Sequence, residues 1–551
     1  MERSPESASF KDYSKQTYTS AKEPEKSSSS APNKPSSSAL MHKMLSPLEI
    51  RARGLTQTQK EHLEALITNY TRRTRKSKEL TALYRPVLAD SRAAVGFRFT
   101  TKEMLYPITG KYGKGARVWD IDGNEYVDIT MGQGVVLFGH DPDFITDALK
   151  NSKSDRLLGP RPYEAGEAAR LICELTGMER VTFTNTGTEA VMAAVRLARA
   201  ATQRNKIVMF ENAYHGHADN VMGRAVWNDN NTLNTVPVAP GITKGAVDDL
   251  WVLEYDTKQA LDFIASHSDE IAAVIVEPVQ SRRPDLQPRE FLHELRALTS
   301  KTGIIFIFDE MITGFRVHQG GAQAVFGVKA DIATYGKVLG GGMPIGVVAG
   351  RAEYMDAIDG GAWQYNDASY PKVNRTVFGG TFCQHPTAMI TTLATLRHLK
   401  DQGPQLQMEL NRKTKFLADE LNSFFKEEEI PIEVVYFGSL FRFAFSTNLE
   451  LLFYHLMVKG VFIWEWRNYF LCTAHTEADI AHIIKAVKES VMEMRKGGFL
   501  PEKNGLTPET AGKKKTDFAG NLLIPLTKAQ HQLAVLARIT PEGSKAYHVS
   551  P

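Results

Sequence analysis

The chain has 551 residues and a net charge of +3, so neither a nucleic-acid partner nor a charged membrane surface is expected. Its length calls for two or three folding units. Cys173, Cys383 and Cys472 are too widely spaced to suggest a disulfide frame or a metal site, no apolar run is long enough to span a bilayer, and no signal-peptide core opens the chain; these features fit a reducing cytoplasm.

Residues 1–44 are rich in Ser, Lys, Glu and Pro and read as a flexible linker, with order beginning near Leu45. Residues 45–135 form an N-terminal helix and a small-domain segment. Thr56 and Gln59 make a capping box, and Leu63, Leu66, Ile67 and Tyr70 share one helical face. The basic run Arg72-Arg73-Thr74-Arg75-Lys76 reads as a solvated face, or as a contact for an acidic carrier domain. Arg117 to Asp128 is a β-hairpin pattern around Asp122-Gly123. Residues 136–385 carry apolar runs that alternate with helical patterns: Val181 to Thr184, Ile207 to Phe210, Ala272 to Val276, Ile304 to Phe308 and Ile345 to Ala349. Such alternation predicts an α/β large domain with a mainly parallel sheet. Residues 386–498 supply a second small-domain segment, 499–520 a linker, and 521–551 the start of another domain.

Two of these runs end in chemistry. Ile304 to Phe308 is β-branched and aromatic, as in a strand buried on both faces, and it ends at Asp309. A short run from Ile332 to Tyr335 delivers Lys337 to the same sheet edge, where open α/β sheets bind ligands. The pair reads either as a buried salt bridge or as a pyridoxal phosphate (PLP) site. In the second case the lysine holds the aldehyde, and the acid keeps the pyridine nitrogen protonated. Other strand ends add candidates. Phe183 to Ala190 is a strand, a small-residue turn and a helix start, either a phosphate cradle at Gly187 and Thr188 or an ordinary helix cap. Tyr214 could stack on a flat ring. Glu277 is another acid at the edge, with a direct or a merely capping role. Gly379-Gly380-Thr381 is a turn that could meet a phosphate. His215, His217 and Asp219 invite a metal reading, but no fourth ligand in a recognisable spacing accompanies them, and no metal is expected.

In chain order, Asn-Thr-Gly-Thr-Glu-Ala, Tyr-His-Gly-His, Glu-Pro-Val, Asp-Glu-Met-Ile-Thr-Gly-Phe-Arg, Gly-Lys-Val-Leu-Gly-Gly-Gly and Gly-Gly-Thr-Phe together resemble a class III aminotransferase of PLP fold type I, over about residues 90–497. Gly-Gly-Gly-Met-Pro-Ile-Gly and Tyr-His-Gly-His-Ala-Asp are most similar to the glutamate-1-semialdehyde aminomutase branch. The resemblance implies that Lys337 binds the cofactor covalently and shuttles protons, and that Asp309 pairs with the pyridinium. It puts Tyr214 on one ring face and Met311 on the other, and Gly187 and Thr188 on the phosphate. It also implies a homodimer in which Thr381 reaches the neighbouring subunit's cofactor phosphate.

Two further likenesses bear on the substrate. Tyr84 to Arg92, Val95 to Pro107 and Thr381 to Pro386 resemble aminotransferase domains embedded in hybrid polyketide/nonribosomal peptide synthases. Ile524 to Leu533 resembles the opening of a peptide-synthetase condensation domain, departing at Ala534; an amphipathic helix of no special origin is the alternative, and no condensation activity is expected. These likenesses imply a domain of an assembly line with flanking synthase domains. It would take an amine from an amino acid donor and place it on the β-keto carbon of an acyl chain tethered by phosphopantetheine to an acyl carrier protein. The aminomutase is the rival, and a catalytically silent spacer is the alternative from another class. Arg98 falls where aminomutases clamp the substrate carboxylate, and Arg467 where they have an acidic residue. Residues 360–371 are expected to shape a tunnel for the pantetheine arm. Arg282 and Arg283 read as contacts to its phosphate, or as plain surface arginines.

Overall fold

The computed structural model describes residues 54–93, 97–153, 157–227, 233–445, 449–465 and 467–503, with the short pairs 515–516 and 522–523. The linker expected over 1–44, the start of order near Leu45 and nearly all of the condensation-like segment lie outside the described residues. The chain divides into one unit up to Leu500 and a second from Pro501. In the second, Lys515–Thr516 pairs antiparallel with Leu522–Leu523.

Helix α1 (Gln57–Arg73) begins at the expected capping box: the Thr56 hydroxyl accepts from the Gln59 amide, and the Gln59 side chain accepts from the Thr56 amide. Leu63, Leu66 and Tyr70 face inward. Strands β1 (Gly110–Lys114), β2 (Arg117–Asp120) and β3 (Glu125–Asp128) follow, β2 and β3 forming the expected hairpin.

The large sheet is built from β4 (Arg180–Thr184), β5 (Lys206–Phe210), β8 (Leu250–Leu253), β9 (Ile271–Val276), β10 (Ile305–Asp309), β11 (Ile332–Gly336) and β12 (Gly346–Gly350), in the order β4-β12-β11-β10-β9-β5-β8. Helix α2 (Gly187–Thr202) follows β4 and packs across the sheet, with Ala190, Val191, Ala194 and Ala198 buried against Ile305, Ile307, Ile332 and Val348, while Met192 faces outward. A hairpin of β6 (Gly223–Trp227) and β7 (Leu233–Pro237) lies between β5 and β8 in the chain. Neither that hairpin nor β8 stands out in the sequence. The sheet is parallel except for β12, which runs antiparallel to both β11 and β4. Residues 337–345 are too few for the crossover that a parallel neighbour needs, and Gly341 and Gly342, at φ 55° and 101°, reverse the chain there.

After helix α3 (Pro386–Gln402) come β13 (Ile432–Phe437), β14 (Leu440–Phe445), helix α4 (Leu451–Val458), β15 (Val461–Phe462), β16 (Tyr469–Phe470) and helix α5 (Glu477–Lys496). β15 pairs with β3 in parallel, so residues from both ends of this unit close one small sheet. α1 and α4 pack together through the edge-on rings of Tyr70 and Tyr454. Among the described residues, no helix is long and apolar enough to cross a membrane.

Candidate active site

Parallel register sets the centre of the site. β10 and β11 pair through Asp309 and Thr334, so the chain reaches Lys337 at the same edge one turn later. Lys337 takes a left-handed backbone, φ 43°, and starts a short 3-10 turn. Its amine is largely buried. Desolvation lowers its pKa, the carboxylates of Asp309 and Glu277 oppose that shift, and the Arg316 guanidinium adds to it. The amine is thus neutral at lower pH than a solvated lysine, and a neutral amine is the form that attacks a carbonyl.

Asp309 is held rather than free. One carboxylate oxygen lies 2.7 Å from His215 Nδ1, and the other accepts from the Met311 amide at 3.1 Å and the Thr334 hydroxyl at 3.2 Å. Glu277 sits beside it, accepting from the Tyr214 amide at 2.9 Å and the Ser281 amide at 3.2 Å. Burial raises the Glu277 pKa; His215 opposes this and Asp309 adds to it. Glu277 therefore acts on this structure by fixing the backbone that carries Tyr214.

Gly187 and Thr188 open α2, whose cap is the Thr186 hydroxyl accepting from the Glu189 amide. The helix cap and the candidate phosphate cradle are therefore two parts of one turn. A Cβ at Gly187 would lie 2.7 Å from Met311 Sδ, and one at Gly216 would lie 2.6 Å from Thr188 Oγ1. Both glycines let the 187–188 turn meet the rest of the site.

Gly187, Thr188, Tyr214, Glu277, Asp309, Met311 and Lys337 line one cavity of about 310 Å³. Its donor set fits PLP: an amine, a held carboxylate, a half-exposed tyrosine ring, a thioether and the amide end of a helix. When bound, PLP supplies the electron sink for chemistry at an amino-bearing carbon. Three sequence candidates stand apart from this cavity. Thr381 is exposed on the chain surface. Arg98 pairs with Glu450 at 3.1 Å and donates to the Phe97 carbonyl at 2.8 Å. Arg467 lines a second cavity, of about 390 Å³, with Tyr70, Gln133, Phe453, Phe462 and Trp464. The loop from Thr130 to Val135 borders both spaces, with Gln133 on one and Val135 on the other.

Two contributors escape sequence reading. His215 looks like an ordinary core histidine until its bond to Asp309 is seen; its place beside Tyr214 at a strand end is the signal that was available. Arg316 is fully buried. It donates to the Gly134 carbonyl at 2.6 Å and the Ser439 hydroxyl at 2.9 Å, and burial pushes its pKa down to about 10. It thereby ties the 130–135 loop and the turn at Ser439 to the segment that follows β10. Among the described residues no group of three or more His, Cys, Asp or Glu is placed to hold a metal.

A buried lysine and a held aspartate at neighbouring strand ends fit a PLP enzyme of fold type I, and comparison with known proteins shows that class. The family model described as aminotransferase class-III matches residues 100–478. Glutamate-1-semialdehyde 2,1-aminomutase of Aquifex aeolicus is 35% identical over 411 residues, covering 70% of this chain and 93% of that protein. The protein of the same name in Ruminiclostridium cellulolyticum is 33% identical over 413 residues, covering 71% of this chain and 91% of its own. Among solved structures, an omega-transaminase from Sphaerobacter thermophilus superposes with TM-score 0.68 at 29% identity, covering 76% of this chain and 98% of that one. The chain belongs to the class-III aminotransferase family and is a PLP-dependent aminotransferase.

Proposed function

We propose that the chain moves the amino group of an amino acid onto the β-keto carbon of a carrier-bound 3-oxoacyl thioester. The products are a 3-aminoacyl thioester and the 2-oxo acid of the donor. The observation that carries this reading is the second cavity. Leu105, Phe453, Met457, Phe462 and Trp464 give it a largely apolar wall, and it lies across one loop from the cofactor cavity. An acyl chain gains about 0.8 kcal/mol per buried CH₂ in such a space. The ion pair of Arg98 with Glu450 supports the same choice, because an arginine already neutralised is a weaker clamp for a small substrate's carboxylate.

A second reading, glutamate-1-semialdehyde aminomutase, is favoured more directly by the names of the curated relatives. Incubation with glutamate and a 3-oxoacyl carrier protein, in parallel with glutamate-1-semialdehyde alone, separates the two. Loss of oxygen and gain of NH₂ and H on the pantetheine arm, read by intact mass, supports the first. Formation of 5-aminolevulinate with an unchanged carrier supports the second.

In either reading a homodimer completes the site. Thr381 follows the exposed aromatic side chains of Trp363, Tyr365 and Tyr370, a surface suited to a second copy, so Thr381 would serve the neighbouring cofactor. Flanking synthase domains, the carrier protein and a role for residues 360–371 along the pantetheine arm belong to the first reading.

A further inference from the structure

The second cavity is not apolar all round. Tyr70 from α1, Tyr454 from α4 and Tyr106 from the segment before β1 all line it, and so does Glu465. The three tyrosine rings are contiguous. Tyr70 meets Tyr454 edge-on at 5.4 Å between centroids, and Tyr106 at 5.6 Å.

Their hydroxyls are not equally engaged. The Thr74 hydroxyl donates to the Tyr70 carbonyl at 2.8 Å, which uses its one hydrogen. At 2.6 Å from Thr74 Oγ1, the Tyr106 hydroxyl is therefore the donor. The Tyr454 hydroxyl faces the Glu465 carboxylate, which adds to burial in raising its pKa. The Tyr70 hydroxyl has no hydrogen-bond partner among the described residues, although the residue is only 3% exposed. Native structures pair nearly all buried polar groups, because an unpaired one keeps its full desolvation cost. A phenylalanine at position 70 would make the same ring contacts without that cost, so packing does not account for the hydroxyl.

A ligand in the cavity does account for it. The Tyr70 hydroxyl can donate and accept, and the Glu465 carboxylate in the same lining accepts. A bound hydroxyl or amide has both a donor and an acceptor to offer them, whereas a hydrocarbon has neither. We propose that Tyr70 sets the specificity of the second cavity, selecting a chain that carries a neutral hydroxyl or amide group over a plain hydrocarbon chain. That the chain is the acyl group of the acceptor rests on the acyl-amination reading; the hydrogen-bonding preference of the cavity does not.

The test uses the PLP-loaded enzyme and Tyr70→Phe, which removes only the hydroxyl. Tyr126→Phe, which removes a buried hydroxyl bonded to Asp120 at 2.8 Å and away from the cavity, is the control. Calorimetry compares 1-heptanol and hexanamide with 1-chloroheptane, a probe of similar size without a strong hydrogen-bonding group. The wild type should prefer a polar probe, and Tyr70→Phe should lower that preference about 3- to 10-fold. The probe that responds names the group, and Tyr126→Phe should keep the preference. Urea unfolding should show the wild-type midpoint for Tyr70→Phe and a lower one for Tyr126→Phe. Turnover of 3-oxoacyl pantetheines with and without the same group on the chain should shift by the same factor, carried by KM. Equal probe preferences in wild type and Tyr70→Phe would overturn the proposal. So would a loss of stability in Tyr70→Phe like that of Tyr126→Phe, since the hydroxyl would then be engaged within the protein. A lowered probe preference in Tyr70→Phe, with no turnover of any 3-oxoacyl thioester by the wild type, would overturn the acyl reading and leave Tyr70 as the selecting residue.

Discussion

The two cavities are built by different rules. Strands β4, β5, β9, β10 and β11 of the large sheet each carry a candidate site residue at or just beyond their ends, so the cofactor cavity is assembled from local sequence signals. The second cavity takes Tyr70 from α1, Gln133 from a loop after β3, Phe453 from α4 and Trp464 from beyond β15. None of these lies in a motif that announces a ligand. The cofactor site is a property of the sheet, and the second cavity is a property of how both ends of the unit fold together.

The sharpest test of that contrast is to damage one cavity and watch the other. Replacing Lys337 by Ala should cost about 10⁴-fold or more in turnover, measured as amine transfer from glutamate, while leaving acyl-chain binding in the second cavity intact. Asp309→Asn should lose roughly 10²–10⁴-fold, because a neutral amide no longer favours a protonated ring nitrogen. His215→Asn removes the imidazole that holds Asp309 and should cost about 10–100-fold, with a shift in the pH dependence of the cofactor spectrum.

Smaller effects sharpen the boundary. Trp464→Ala should raise KM for a long acyl acceptor about tenfold, with an unchanged cofactor spectrum, since about 2 kcal/mol of apolar burial is lost. Gly187→Ala should weaken cofactor retention, and Met311→Ala should restore part of it by removing the sulfur that the new Cβ meets at 2.7 Å. Equal losses in G187A and the double variant would contradict the packing account.

The framework beneath both cavities has its own pH signature. His475 is buried, its Nδ1 accepts from the Cys472 amide, and desolvation lowers its pKa to about 4. Below its ordinary value of about 6.5 the unfolded chain binds a proton that the folded chain refuses. This contribution to stability is therefore full above about pH 6.5 and shrinks as pH falls toward about 4, by up to about 3 kcal/mol. Urea unfolding across that window checks the sign, and His475→Asn should flatten the slope.

Local pattern made the sheet and its edge legible. Ile304 to Phe308 reads as a buried strand because its β-branched and aromatic residues have no other stable place, and Asp309 follows directly. The capping box of α1 and the Asp-Gly hairpin are legible for the same reason. β8 and the β6–β7 hairpin are short and depend on neighbours for their pairing. The antiparallel direction of β12 depends on connection length rather than residue type. His215 was visible as a residue but not as the partner of Asp309, 94 positions away. Arg98 shows the limit most plainly: its ion pair with Glu450 spans 352 positions, and no spacing rule reaches that far.

Reductive trapping with borohydride and peptide mapping tests the central claim most directly. The account predicts a pyridoxyl group on the peptide containing Lys337 and on no other lysine, with labelling abolished in Lys337→Ala. A label on another lysine, or none on a folded protein supplied with PLP, would contradict it.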